Sequence, residues 1–130
     1  MKMVWKPNVT VAAVIARDGK FLLVEEETAL GLRETLEESA YHFTPAQLIG
    51  IYRWHARESD TTYLRFAFSG EITGHEAGRT LDTGILRAVW LSPDEIRETQ
   101  ARHRSPLVLR CVEDYLAGKR YSLDMLVNYE

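Results

Sequence analysis

Residues 33–39 read Arg-Glu-Thr-Leu-Glu-Glu-Ser, which sets three carboxylates and a guanidinium into one short stretch of a chain whose net charge is only −3. At about 100° per residue, Glu34, Glu37 and Glu38 stand at i, i+3 and i+4 and share one side of a helix. Leu32, Leu36, Ala29 and Ala40 fall on the other side, the pattern of an apolar stripe packed on a core. Like charges at this spacing repel by a few tenths of a kcal/mol per pair. Arg33, four residues before Glu37, offsets part of that repulsion. A divalent cation offsets all of it, because tightly grouped hard oxygens are what Mg²⁺ or Mn²⁺ selects. Spacing alone leaves two readings open: a solvated acidic face or a cation site.

Composition narrows the choice of molecule. With 130 residues, 45% hydrophobic and 27% charged, the chain fits a single globular domain that buries a core unaided. The acidic balance argues against a general nucleic-acid binder, although "RHR" at 102–104 forms a small basic cluster. The opening "MKMVWKPNVTVAAVIA" is interrupted by Lys6 and Pro7, and no apolar run reaches membrane-spanning length. The expectation is a soluble, cytoplasmic protein with no nucleic-acid or membrane partner, either monomer or homodimer. The single cysteine, Cys111, lies in "LVLRCVEDYL", where helical spacing makes it a small core residue. His42, His55, His75 and His103 are scattered without metal-ligand spacing.

The acidic stretch must be positioned by a mixed α/β scaffold with a central sheet and helices against it. "NVTVAAVIA" and "KFLLVEE" read as strands joined by a tight turn at Asp18-Gly19. A helix is expected over residues 29–40. "AQLIGIYRWHA" and "TTYLRFAFSGEI" follow as strands around a polar turn at 58–60. In the second, Leu64, Phe66 and Phe68 are expected to be buried while Arg65 faces a cleft. "GHEAGRTLDTG" reads as a loop and "ILRAVWL" as a further strand. Ser92, Pro93 and Glu95 supply the N-cap, first-turn proline and capping-box acid of a short helix. A second helix opens at Ser105-Pro106 and stops before Gly118.

The segment "RETLEESAY" resembles the C-terminal half of the Nudix hydrolase signature, Arg-Glu-apolar-x-Glu-Glu-x-Gly-apolar, and it follows a β-hairpin as that family's catalytic helix does. The segments "KPNVTVAAVIARDGKFLLVEEE", "TTYLRFAFSGEI", "AVWLSPDEI" and "RSPLVLRCVEDYLAGKRYSLDML" are similar, in order and nearly end to end, to the family's NudJ-type phosphatase branch. The resemblance implies a Nudix-like mixed sheet sandwiched between helices. It also implies Mg²⁺-assisted hydrolysis (Mn²⁺ being an alternative cation) of phosphoanhydride bonds in nucleoside tri- and diphosphates or small pyrophosphates such as hydroxymethylpyrimidine diphosphate. Glu37 and Glu38 match the metal ligands. Glu34 matches an acid that holds a further metal or takes the proton of water, and Arg33 matches the residue that orients the glutamates.

Two departures are small: Thr35 replaces an aliphatic residue, and Ala40 stands where the family prefers glycine. The larger one lies upstream. Gly19 and Glu25 satisfy the signature's Gly-x5-Glu count, but Gly19 belongs to the hairpin turn and "KFLLVE" is a strand. Relatives of the NudJ type carry a loop with its own glutamate between hairpin and helix, which Glu27-Thr28-Ala29 bridges directly here. The chain is thus about twenty residues short of that pattern near 27–31; either the catalytic loop is lost or a mobile loop is missing from these 130 residues, and the second is expected, with a spatial break between Glu27 and Gly31. The alternative to an enzyme is a catalytically impaired Nudix-fold module that binds a nucleotide or protein. Trp5, Tyr52 and Trp54 are candidates for stacking on a ring, Arg65 and Arg104 for meeting phosphate, and Glu71 for completing a metal sphere.

Overall fold

The computed structural model describes residues 6–129; Trp5 lies outside them. Strand β1 (Asn8–Val14) leads through β2 (Ala16–Arg17) into β3 (Lys20–Glu26). Asp18 and Gly19 both take positive φ, 52° and 76°, the left-handed pair that a two-residue hairpin turn requires. The uninterrupted apolar run of β3 is explained by burial on both faces. Phe21 and Leu23 join one cluster with Val14, Ile49 and Ala67, while Leu22 between them points into a second with Ala13 and Ile15.

After β3 the chain does not enter a helix. The Glu26 N–H donates to the Ala29 carbonyl at 2.8 Å, and Leu30–Leu32 returns as β4, antiparallel to β3 with Leu23 opposite Leu32 and Glu25 opposite Leu30. Both the helix expected over 29–40 and the spatial break expected between Glu27 and Gly31 give way to this hairpin. The reason is burial: Leu30 and Leu32 are 2% and 1% exposed, and the sheet covers both where a helix stripe accounts for only one. Helix α1 is reduced to Leu36–Ser39, capped by Thr35. It ends at Ala40 with φ +64°, which explains why a glycine suits this position.

The rest follows the expected order. Strands β5 (Tyr41–Ala56) and β6 (Thr61–His75) form a long hairpin, followed by β7 (Ile85–Leu91), α2 (Pro93–Glu98), α3 (Leu107–Leu116) and β8 (Tyr121–Ser122). Ser92 and Glu95 form the expected capping box of α2. One sheet runs β1-β6-β5-β8 with β1 parallel to β6; in the other, β3 pairs with β2, β4 and β7. Ile96 of α2 and Val108, Cys111 and Val112 of α3 close the main core. Burial pushes the Cys111 thiol up to about 11, so it is a packing residue, as expected.

The faces of β6 differ from the expected arrangement. Arg65, Ala67 and Ser69 are the buried set, whereas Leu64, Phe66 and Phe68 are only half-buried. The bulky residues lie on the sheet's more open face, with Val9, Val11 and Ile51 exposed among their neighbours across the strands. The small residues lie beneath the core, which leaves room for Arg65 to be buried beside them. No described helix is long and apolar enough to cross a membrane.

Candidate active site

The acidic stretch is organised by its own backbone. Glu38 Oε1 accepts the N–H groups of Glu34 at 2.7 Å and Thr35 at 3.2 Å, the acid half of a capping box that fixes the first turn of α1. Arg33 clasps the same turn from the other end. Its Nη2 donates to the Tyr41 carbonyl at 3.0 Å, so it positions α1 through the main chain, where the resemblance implied carboxylates as its partners. Burial, against the nearby Glu38 and Glu37 charges, lowers the Arg33 pKa. Glu37 is half-exposed and lies 3.5 Å from Arg79 Nη2, while its carbonyl accepts the Asp82 N–H of the β6–β7 loop.

Glu34 is set apart from the other two. Arg65 Nη2 donates to its Oε1 at 2.8 Å, and Arg104 Nη1 lies 3.6 Å from the same oxygen. Burial raises the Glu34 pKa, an effect that Arg65 and Arg104 oppose and Glu38 and Glu26 reinforce. Arg65 is 8% exposed, and its Nε donates to Thr10 Oγ1 at 3.3 Å. Thr10 and Arg65 face each other across the parallel pair β1–β6. Arg104 is held by its own N–H on the Leu30 carbonyl and by Glu26, 3.0 Å from its Nη2. Its guanidinium lies across Gly31, where any Cβ would come within 2.8 Å of Cζ.

These residues open into a cavity. A space of about 320 Å³ is lined by Glu34, Arg65 and Arg104 together with Trp54, Tyr63 and Glu58. Trp54 and Tyr63 stack with ring centroids 5.6 Å apart. A larger adjoining space of about 710 Å³ shares Trp54 and Arg104 and extends to His103 and Leu109. The structure therefore brings together Glu34, Arg65, Arg104 and Trp54 from the sequence candidates. It separates Tyr52, whose hydroxyl donates to Asp114 at 2.7 Å, and Glu71, which stands exposed opposite Thr44. Glu25 pairs with Arg87 and Arg102 and takes no part, so the Gly-x5-Glu count from Gly19 is a coincidence of spacing.

Tyr63 and Arg65 share the mixed strand face that alternation marks as a pocket lining, and both line the cavity. Sequence reasoning missed Thr10 and Glu26. Thr10 was out of reach, because its pairing with Arg65 crosses more than fifty residues of chain.

Among the described residues no three Asp, Glu, His or Cys side chains converge as a ligand group. Mg²⁺ needs only one or two carboxylates and completes its shell with water and substrate phosphate. Glu37 and the second oxygen of Glu38 meet that requirement in donor chemistry. Glu34, whose Oε1 lies against two guanidiniums, offers its second oxygen in the same way.

No family model matches the chain. It is 32% identical to phosphatase NudJ of Escherichia coli K12 over 145 residues, covering 96% of this chain and 94% of the relative, and the same figures hold for phosphatase NudJ of Shigella flexneri. Because 96% of 130 residues is about 125, an alignment of 145 positions leaves about twenty positions of the relative without a counterpart here. A solved NUDIX hydrolase from Nitrosomonas europaea superposes with TM-score 0.89 at 50% identity, covering 95% of this chain and 98% of that one. A UDP-X diphosphatase shares the fold at TM-score 0.70 and 16% identity, covering 93% of this chain and 68% of that one. The chain belongs to the Nudix hydrolase family of enzymes, in its NudJ phosphatase branch.

Proposed function

We propose that this enzyme hydrolyses the phosphoanhydride bond of nucleoside tri- or diphosphates, or of related small pyrophosphates such as hydroxymethylpyrimidine diphosphate, in the cytoplasm and with Mg²⁺ or Mn²⁺. The observation that carries this reading is a cavity lined by two guanidiniums and a stacked Trp54–Tyr63 pair. Arg65 and Arg104 neutralise phosphate oxygens, where charge-assisted hydrogen bonds are strongest, and Trp54 takes the substrate's planar ring. Glu37 and Glu38 are assigned the cation, with Glu34 as a further ligand or the proton acceptor, and Arg33 the placement of their turn. A bound cation neutralises phosphate charge and acidifies a water. Glu34 accepts the proton of the attacking water as the new P–O bond forms and the anhydride P–O bond breaks. The chain remains a single Nudix-like domain with a shortened catalytic loop near 27–31.

A panel of nucleoside tri- and diphosphates and small pyrophosphates, assayed with Mg²⁺, Mn²⁺ and EDTA for orthophosphate and pyrophosphate release, tests this. Cation-dependent release from at least one compound is expected. Saturable nucleotide binding with no release under any condition would replace the proposal with the binding-module reading.

A further inference from the structure

Both guanidiniums in the cavity converge on one oxygen, Glu34 Oε1, at 2.8 and 3.6 Å. Both arginines are anchored by the surrounding strands. Arg65 is enclosed and tied to Thr10 on the next strand, and Arg104 is anchored by its backbone N–H on the Leu30 carbonyl with its guanidinium lying across Gly31 and beside Glu26. Glu34 lies in the link between β4 and α1, outside both elements, and its carboxylate is the shared anion between the two guanidiniums. We propose that the Glu34 carboxylate occupies the phosphate position of the Arg65–Arg104 pair, and that a phosphate group of the substrate enters by displacing it. This rests on the reading of the cavity as a phosphate site and adds the order of events within it.

The charges support the exchange. Arg65 and Arg104 are balanced by Glu34 and Glu26, so the resting cluster is neutral and draws anions weakly from a distance. A phosphate dianion offers two or more oxygens to two guanidiniums where the carboxylate places one, and bidentate pairing of that kind is favoured. Once displaced, Glu34 stands beside the entering phosphate, where an acceptor for the proton of water is needed. The carboxylate thus protects the arginines from other anions and is released by the ligand whose hydrolysis uses it.

The test is calorimetric titration of inorganic pyrophosphate, ADP and adenosine into wild type, Glu34→Gln and Glu34→Gln/Arg104→Ala, in EDTA so that no turnover occurs. Glu34→Gln is expected to bind pyrophosphate and ADP about tenfold more tightly, because it deletes the competing anion, with adenosine unaffected. The double variant is expected to lose the gain. Glu34→Ala, which removes the residual hydrogen bond of a glutamine, is expected to repeat the tightening. Unchanged or weaker pyrophosphate binding in both single variants, with melting temperatures showing them folded, would overturn the proposal. Failure of the hydrolase reading would look different: no phosphate release from wild type in the Mg²⁺ and Mn²⁺ substrate panel, with the tightening in EDTA retained.

Discussion

Gly31→Ala probes the pinning of Arg104 without touching a charged group. Gly31 lies in β4 opposite Val24 and is not among the residues with positive φ, so alanine fits its backbone. The added Cβ would stand 2.8 Å from Arg104 Cζ and 3.1 Å from Nε and Nη2, where carbon contacts normally settle at about 3.5–4.0 Å. The guanidinium must therefore retreat by roughly 0.7–1.2 Å, stretching its 3.0 Å pair with Glu26 and its 3.6 Å approach to Glu34. At 30% exposure, losing these pairs costs about 0–1 kcal/mol. The smaller unfolded-state entropy of alanine returns about 0.4–1 kcal/mol. The two nearly cancel, so the melting temperature should move by no more than about 4 °C. Binding should not cancel, because a charge-assisted hydrogen bond to phosphate is worth about 1.5–3 kcal/mol. KM for a phosphoanhydride substrate should then rise about tenfold or more, with kcat less affected. Steady-state kinetics beside thermal melts reads both quantities, and a double-mutant cycle with Arg104→Ala should show Gly31→Ala adding nothing once the guanidinium is gone. An unchanged KM, or an effect that survives in the Arg104→Ala background, would refute the reasoning.

Glu38→Gln should keep the melting temperature, since glutamine also closes a capping box, while lowering turnover and Mn²⁺ affinity; Glu38→Ala should lose about 1 kcal/mol of stability as well, and a Glu38→Gln enzyme with full activity would remove the residue from the cation site. Ala40→Gly should raise stability by up to about 1 kcal/mol, because the φ of +64° strains alanine and not glycine; differential scanning calorimetry reads it. Burial pushes the Asp114 carboxyl up, but Tyr52, Arg110 and Lys119 outweigh burial and hold it below its ordinary value of 3.8. Its contribution is therefore complete above pH 3.8 and lost as pH falls through the lowered folded value, so Asp114→Asn should destabilise at neutral pH and flatten the acid limb of a stability-versus-pH curve measured by urea unfolding.

Much of the architecture is written locally. The Asp18-Gly19 turn, the capping box of Ser92 and Glu95, the stop at Gly118 and the burial of Cys111 each depend on a few neighbouring residues, and each stands where its sequence signal is. The resemblance carried by "RETLEESAY" and the flanking segments placed the chain in its family. The local signals around residues 29–40 misled, because Leu32 fits a helix stripe with Ala29, Leu36 and Ala40 as well as it fits a strand, and only the edge of β3, which buries Leu30 together with Leu32, selects the strand. The same dependence on distant partners governs the site. Arg65 is a cavity residue because β1 lies parallel to β6 and brings Thr10 to it, and Arg104 meets Glu34 because the segment before α3 is bonded to β4. A periodic pattern records which face of an element is apolar, since solvent exposure acts on each residue separately. Which element covers that face, and which charges meet beneath it, is decided by packing among residues far apart in the chain, and that was settled only in the assembled fold.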